Sequence, residues 1–285
     1  PEVEADIAPV VAQLKTYTLQ SLNPKAQYPA IAKGTPVPSP KLNNPIWQSL
    51  DFYKLLNNAW AFGGVREQDK EVVSQFAALG IGPGLTFDSA KLTEAQRRGL
   101  ERAVKVGFQR VLFHGRENGE LRNGWRFATN IGDYGSNRLF ASTVGMMGYG
   151  GNKAEEALYL PVFTDQHGEQ LQSDRRYRIH FAADNLPPVE AFWSVTLYRL
   201  PDNQLKANAI NRYAFGDRTP SLKRGADGSI DIYIQAEKPA GDEQAANWLP
   251  TGEPGPFWMI LRMYQPAPKT LAGEYYPPAV ERLVD

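Results

Sequence analysis

The spacing of apolar positions changes along this chain. In TEAQRRGLERAVKVGFQRVLF (residues 93–113), Leu100, Ala103, Val104, Gly107, Phe108, Val111 and Leu112 recur every three or four residues. That spacing puts them on one side of a helix. Thr93 and Gln96 have the spacing of a capping box. NNPIWQSLDFYKLLNNAW (43–60) predicts a second helix, with Asn44 as N-cap, Pro45 in the first turn, and Ile46, Trp47, Leu50, Tyr53 and Leu56 on one stripe. REQDKEVVSQFAALGIGPG (66–84) predicts a third, buried through Val72, Val73, Phe76 and Leu79 and stopped at Gly80. A shorter helix is expected over Pro9–Tyr17, and Pro-rich linkers such as KGTPVPSPKLNNP join the pieces.

From about residue 155 the period becomes two. SIDIYIQAE alternates Ile230, Ile232 and Ile234 with polar residues, the pattern of a half-buried antiparallel strand, and ADG before it signals a turn. RYRIHF sets Tyr177, Ile179 and Phe181 on one face, and EALYLPVF and FWMILRMY read as further strands. LPPVEAFWSVTLYRL (186–200) is the most informative. Its prolines cannot donate to a ladder and so set the strand's entry. Trp193, Val195 and Leu197 then face a core, while Phe192, Ser194, Thr196 and Tyr198 form an aromatic, hydroxyl-rich second face. A solvent face more usually carries Lys and Glu, so this one is expected either to be covered by the helices or to line a pocket. The predicted class is α+β: a small helical domain over residues 1–120, then an antiparallel β-sandwich of jelly-roll type over 121–285.

Composition narrows the function classes. The 285 residues carry 31 basic and 31 acidic side chains, with no basic cluster interleaved with aromatics, so no nucleic-acid partner is expected. No apolar run approaches the ~18 residues of a membrane span. The absence of cysteine removes disulfides, thiol nucleophiles and thiolate metal sites. The 22 prolines and 25 glycines, with abundant aromatics, fit a turn-rich folded chain.

No P-loop, nucleophile elbow or HExxH is present, and no cofactor is expected. GIGPG (80–84) lacks dinucleotide-binding spacing and follows a helix, so it reads as a turn. His114 is expected at the end of the long helix, His167 in a hairpin turn (TDQHGE), and His180 alternating with an apolar strand face. They are too dispersed for a metal site to be expected. The densest polar constellation is NGWRFATNIGDYGSNRLF, between the two halves. Trp125, Arg126 and Arg138 are candidates for holding an anion or sugar, together with Ser194 and Tyr198 from the aromatic strand face. Asp133 and Tyr134 are weak catalytic candidates, Asp133 as a general base. A structural alternative remains, in which Asp133 caps a helix starting near Ser136 and Arg138 ties the helices to the sheet. NWLP (247–250) is similar: Asn247 is expected to close a turn on its own backbone and Trp248 to fill the core.

LPPVEAFWSVTLYRL, NRYAFGDRTPSL, DGSIDIYIQ, NWLPTGEPGPFWMILRMYQP and YYPPAVERL, in this order, resemble the bacterial domain of unknown function 1214. Upstream, ALGIGPGLTFD and NGWRFATNIGDYGSNRLFASTVGMMGYGGNKAEEALYL resemble the middle of proteins that join it to domain of unknown function 1254. The resemblance implies an N-terminal β-sandwich module, a helical middle and a C-terminal jelly-roll-like domain. It also implies that Pro1 is not the encoded start, that a sandwich module precedes it, and that the setting is extracytoplasmic. It carries no established activity. Two classes follow: a small-molecule or carbohydrate binder, or a hydrolase-like enzyme, with a cleft at the helical/β junction; alternatively, a structural or interaction module of a larger protein.

Overall fold

The computed structural model describes residues 3–18 and 44–283. The chain divides into two compact units, Pro1–Val37 and Pro38–Asp285. In the first, helix α1 spans Val3–Leu14 and has Pro9 inside it, so the helix starts and ends earlier than the expected Pro9–Tyr17. Proline's locked φ is helical, and a helix can continue past it at the cost of a backbone bond. The Pro-rich stretch at 33–45 lies almost wholly outside the described residues.

The second unit opens with helices. The helix expected over 43–60 is two pieces: a 3-10 turn, Pro45–Gln48, and α2, Asp51–Gly63. Asn44 caps the turn as expected, accepting from the Ile46 N–H at 3.0 Å. The break is at Ser49, whose backbone is extended and whose hydroxyl donates to the Ile46 carbonyl. A serine that bonds locally competes with continued helix. The segment 66–84 is also fragmented, into a 3-10 turn (Glu67–Asp69), α3 (Lys70–Ser74) and another 3-10 turn (Ala77–Leu79). None of the three has a side-chain cap, and the adjacent β-branched Val72 and Val73 propagate a helix weakly. Gly80 ends the run in the left-handed region at φ 72°, where a Cβ would meet the Thr86 carbonyl at 2.8 Å. Helix α4, Glu94–Glu117, forms with the full Thr93–Gln96 capping box. Helix α5, Arg138–Met147, follows two short strands, β1 (Glu120–Arg122) and β2 (Trp125–Phe127).

Tyr53, Ile81, Phe87, Leu100 and Val104 form the core of this helical layer. Buried Asn57 stitches the GIGPG turn onto α2: its amide donates to the carbonyls of Gly80 and Leu85 at 2.8 and 2.9 Å, and its oxygen accepts from Gly82 N–H at 2.8 Å. Gly115 brings α4 close to α5, since a Cβ there would stand 2.1 Å from the Met147 sulfur.

The strands that follow are β3 (Ala157–Val162), β4 (Arg176–Phe181), β5 (Val189–Arg199), β6 (Ala214–Gly216), β7 (Ile230–Gln235), β8 (Trp248–Pro250), β9 (Phe257–Pro266) and β10 (Val280–Leu283). The short helices α6 (Asp242–Ala246) and α7 (Pro268–Leu271) flank β8 and β9. One sheet has the order β1-β2-β3-β9-β5-β6, the other β10-β4-β7-β8. All pairings are antiparallel except β7 with β8, which are joined by a crossover through α6 of the length a parallel pair requires. A helical N-terminal region followed by a sandwich is the α+β arrangement expected from the change of period. Within the second unit, α5 packs on α4.

The predicted alternation holds. Leu158, Leu160 and Val162 of β3, Trp193, Val195 and Leu197 of β5, and Met259, Leu261 and Met263 of β9 are buried in one cluster. Ile179 and Phe181 of β4 and Ile230, Ile232 and Ile234 of β7 meet them there. Each such side chain contributes about 1.5–3 kcal/mol on burial, against ~0–1 for a surface ion pair, so this core dominates stability. Asn247 is buried but does not bond its own turn. It grips residue 223 through the Lys223 N–H and carbonyl, at 2.8 and 2.7 Å, and donates to the Asp231 carbonyl. Trp248 is buried, as expected, with its indole N–H on the Gln235 carbonyl.

Two side chains give testable consequences. Arg138 does not reach the sheet. It pairs with Asp69, which Arg66 also contacts, and donates to the Gln68 carbonyl at 3.1 Å, so it ties the start of α5 to the turn before α3. The bond from Arg138, helped by Arg66, holds the Asp69 carboxyl below its ordinary 3.8. A depressed carboxylate stabilises the fold above its unfolded value, and that contribution is lost as pH falls through the folded one. Arg138→Ala should therefore be modestly less stable than the parent at pH 7 in urea unfolding, with the gap closing in strong acid. A gap that is unchanged across that range would refute the assignment.

Tyr275 is 3% exposed and its hydroxyl has no hydrogen-bond partner. Burial pushes its pKa well above the ordinary 10.0. The unfolded chain then loses this proton first, so stability is retained below pH 10 and falls above it. Removing an unsatisfied buried hydroxyl relieves a desolvation cost of about 1–3 kcal/mol. Tyr275→Phe should be as stable as the parent at neutral pH, or more so, with a shallower loss of stability above pH 10. Raised Tyr53 and Tyr177 maintain the remainder of that loss. Destabilisation of more than ~1 kcal/mol at pH 7 would argue for a hydroxyl partner.

Candidate binding site

The outer face of the six-stranded sheet carries Tyr159 and Pro161 from β3, Tyr198 from β5, and Trp258, Ile260 and Arg262 from β9. Over it lies α5 with the glycine-rich loop 148–151. Between them is a cavity of about 290 Å³. Phe140, Val144 and Met147 of α5 form its roof, and Arg126 and Asn118 stand at its edge. Of the second face of LPPVEAFWSVTLYRL, Tyr198 is thus a cavity wall, while Phe192 and Ser194 line a separate depression. The helix is held in place by Asn137, whose side chain accepts from the Phe140 N–H at 3.0 Å. Asn137, not Asp133, is its cap.

Tyr198 and Trp258 face each other across β5 and β9 in register and stack at 5.1 Å. The Trp258 indole N–H donates to Asn203 Oδ1 at 3.0 Å, fixing the ring. Asn203 reaches it from a turn where its φ is 55°, a left-handed conformation that Asn tolerates better than most residues. Arg262 sits opposite Tyr159 on one side and Ser194 on the other. It donates from Nη2 to the Tyr198 hydroxyl at 2.8 Å. The cavity wall contains no Asp, Glu, His or Cys. It offers a cation, hydroxyl and amide groups and apolar surface, an arrangement suited to holding a ligand.

The residues singled out from sequence scatter. Arg126 and Tyr198 border the cavity. Arg126 is engaged by Glu117 at the end of α4. Trp125 is fully buried, with its indole N–H on the Pro278 carbonyl at 2.8 Å, so its ring is core rather than a stacking platform. Arg138 is occupied by Asp69 away from the cavity. Asp133 is exposed, and Tyr134 packs edge-on against Phe140, behind the roof. Ser194 lines a separate shallow depression with Arg218, which lies 4.2 Å over the Phe192 ring. Arg262, Trp258, Tyr159 and Asn203 were not singled out. A usable signal existed for Arg262, the only charge in the otherwise apolar FWMILRMY.

A larger groove of about 720 Å³ runs between α2, α4 and α5, past Trp47, Phe52, Val104 and Phe108. It lacks convergent polar groups and reads as a gap between helices. Among the described residues, no three His, Asp or Glu side chains converge as a metal site would require. No described helix is long and apolar enough to cross a membrane.

No curated protein matches the chain. The structure of the VPA0106 protein from Vibrio parahaemolyticus is similar over 96% of this chain and 61% of that one, with 24% identity and a TM-score of 0.50. That likeness is one of fold, and this chain spans less than two thirds of that protein's length. The structure of an uncharacterized protein from Burkholderia cenocepacia is similar over 65% of this chain and 42% of that one, with 16% identity and a TM-score of 0.31. Residues 156–268, from the residue before β3 to the first residue of α7, match the family model described as "Protein of unknown function (DUF1214)", which supports the family resemblance for the sandwich part of the chain.

Proposed function

We propose that this protein binds a small molecule in the cavity between α5 and the outer face of the six-stranded sheet. The observation that carries the reading is the convergence of Arg262, Tyr198 and Trp258 on one cavity beneath a helix. Arg262 is half-buried on a central strand, and withdrawing a guanidinium even partly from water costs free energy unless something compensates it. The volume is at the lower end of the range for ligand pockets, roughly 300–1,000 Å³, so the ligand is small. Binding rather than hydrolysis is the reading, because the groups on the wall position a ligand without supplying a nucleophile–base pair. The helical layer corresponds in this reading to the middle part of the 1254-type proteins, placed to roof a site whose floor is the 1214 sandwich.

The test is a screen of small neutral and anionic aromatic fragments by ligand-observed NMR, on the parent and on Val144→Trp. The added indole fills the space under α5. Saturable hits on the parent that vanish in a folded V144W protein are the expected result. Hits that survive V144W unchanged would place binding elsewhere and overturn the reading.

A further inference from the structure

We infer that the ligand of this cavity is a monocarboxylate with a small apolar or aromatic body, its carboxylate held by Arg262. The inference rests on the binding reading above and names its chemistry. Arg262 has five N–H donors. Its hydrogen-bond partner is the Tyr198 hydroxyl, an uncharged group at 2.8 Å, and its charge also lies 5.6 Å from the Tyr198 ring. No carboxylate of the described residues forms an ion pair with it, and the cavity wall holds no acid. By contrast, Arg126 at the edge is neutralised by Glu117. The cavity therefore holds one uncompensated positive charge, which matches a monoanion. A phosphate dianion would call for more cations or a cluster of backbone N–H donors.

The remaining surface argues against a sugar. A saccharide needs several free polar partners, but Asn203 Oδ1 is taken by Trp258, and the Thr143 hydroxyl is 2.9 Å from the Leu139 carbonyl. Apolar surface predominates in what is left: Val144, Met147 and Ile260, with the stacked Tyr198 and Trp258 rings, against the few further polar groups of Asn118, Tyr149, Tyr159 and the Asn203 amide nitrogen. A flat apolar body fits that wall, and a planar carboxylate fits the guanidinium fork in a bidentate pair. The carbohydrate option raised by the sequence is thus the less favoured one.

The experiment titrates the 285-residue chain with benzoate and with benzamide, its neutral near-isostere, by calorimetry or NMR. The same titrations are repeated on Arg262→Gln, Arg262→Lys and Val144→Trp, each checked for a parent-like melt. Benzoate should bind at least about tenfold more tightly than benzamide, the scale of a charge-assisted bond. R262Q should erase that preference, weakening benzoate far more than benzamide, and R262K should retain part of it, because lysine keeps the charge and loses the fork. V144W should abolish both. Equal binding of the two probes, unaffected by R262Q but lost in V144W, overturns the carboxylate inference and leaves the cavity reading standing. Binding that survives V144W overturns the cavity reading itself. No saturable benzoate binding to the parent at millimolar concentration also overturns the inference.

Discussion

The β5–β9 pair is the constraint on which the rest of the molecule depends. These are the longest strands, they pair from Phe192–Tyr264 to Arg199–Phe257, and they sit inside the six-stranded sheet. One face, through Trp193, Val195, Leu197, Met259, Leu261 and Met263, is the floor of the sandwich core. Because side chains alternate strictly along a strand, that burial dictates which residues face the other way. A slip of one residue in register would drive Arg262 and Tyr198 into the apolar core. The core energy that holds the register therefore also holds the surface proposed to bind a ligand.

The outer face then needs partial cover. Trp258 and Ile260 are too apolar to be left in water, and α5 shields them. The cover is incomplete because of how α5 is held. Its start is tied by Asn137 and by Arg138 to Asp69, and its far end lies against α4 where Gly115 permits a close approach. A helix anchored to other helices at both ends spans the sheet without filling every gap beneath it. The cavity is what remains, and Arg262 places a charge in it. Two kinds of polar group are thus distinguished, the buried Asn57 and Asn247 and the half-buried Arg262. Asn57 and Asn247 have three hydrogen bonds each and only shape loops. Arg262 has a single neutral partner and donors left over for a ligand.

Local pattern was enough for much of the fold. The capping box at Thr93, the left-handed stop at Gly80 and the alternation of Ile230, Ile232 and Ile234 are all governed by residues within one turn or one strand. The fragmented segments at 43–60 and 66–84 were not legible as such, because an apolar stripe does not show where a serine bonds backward or where capping is missing. Trp125 illustrates the same limit at the site. Beside Arg126 and Asp133 it looks like a binding aromatic, but its indole N–H finds the Pro278 carbonyl, more than a hundred residues away in the chain. Arg138 likewise finds Asp69 rather than the sheet.

The sequence by itself determined the α+β class, the change from helix to sandwich, the core face of each major strand, and the oddity of the outer face of LPPVEAFWSVTLYRL. These follow from periodicity, which is a property of neighbouring residues. Only the tertiary structure decided which of the polar and aromatic side chains share a cavity, and that Arg262 rather than Arg138 is the cation with donors to spare. Partner choice depends on distances between segments far apart in the chain. Strand pairing and the docking of α5 set those distances, and no local pattern encodes them.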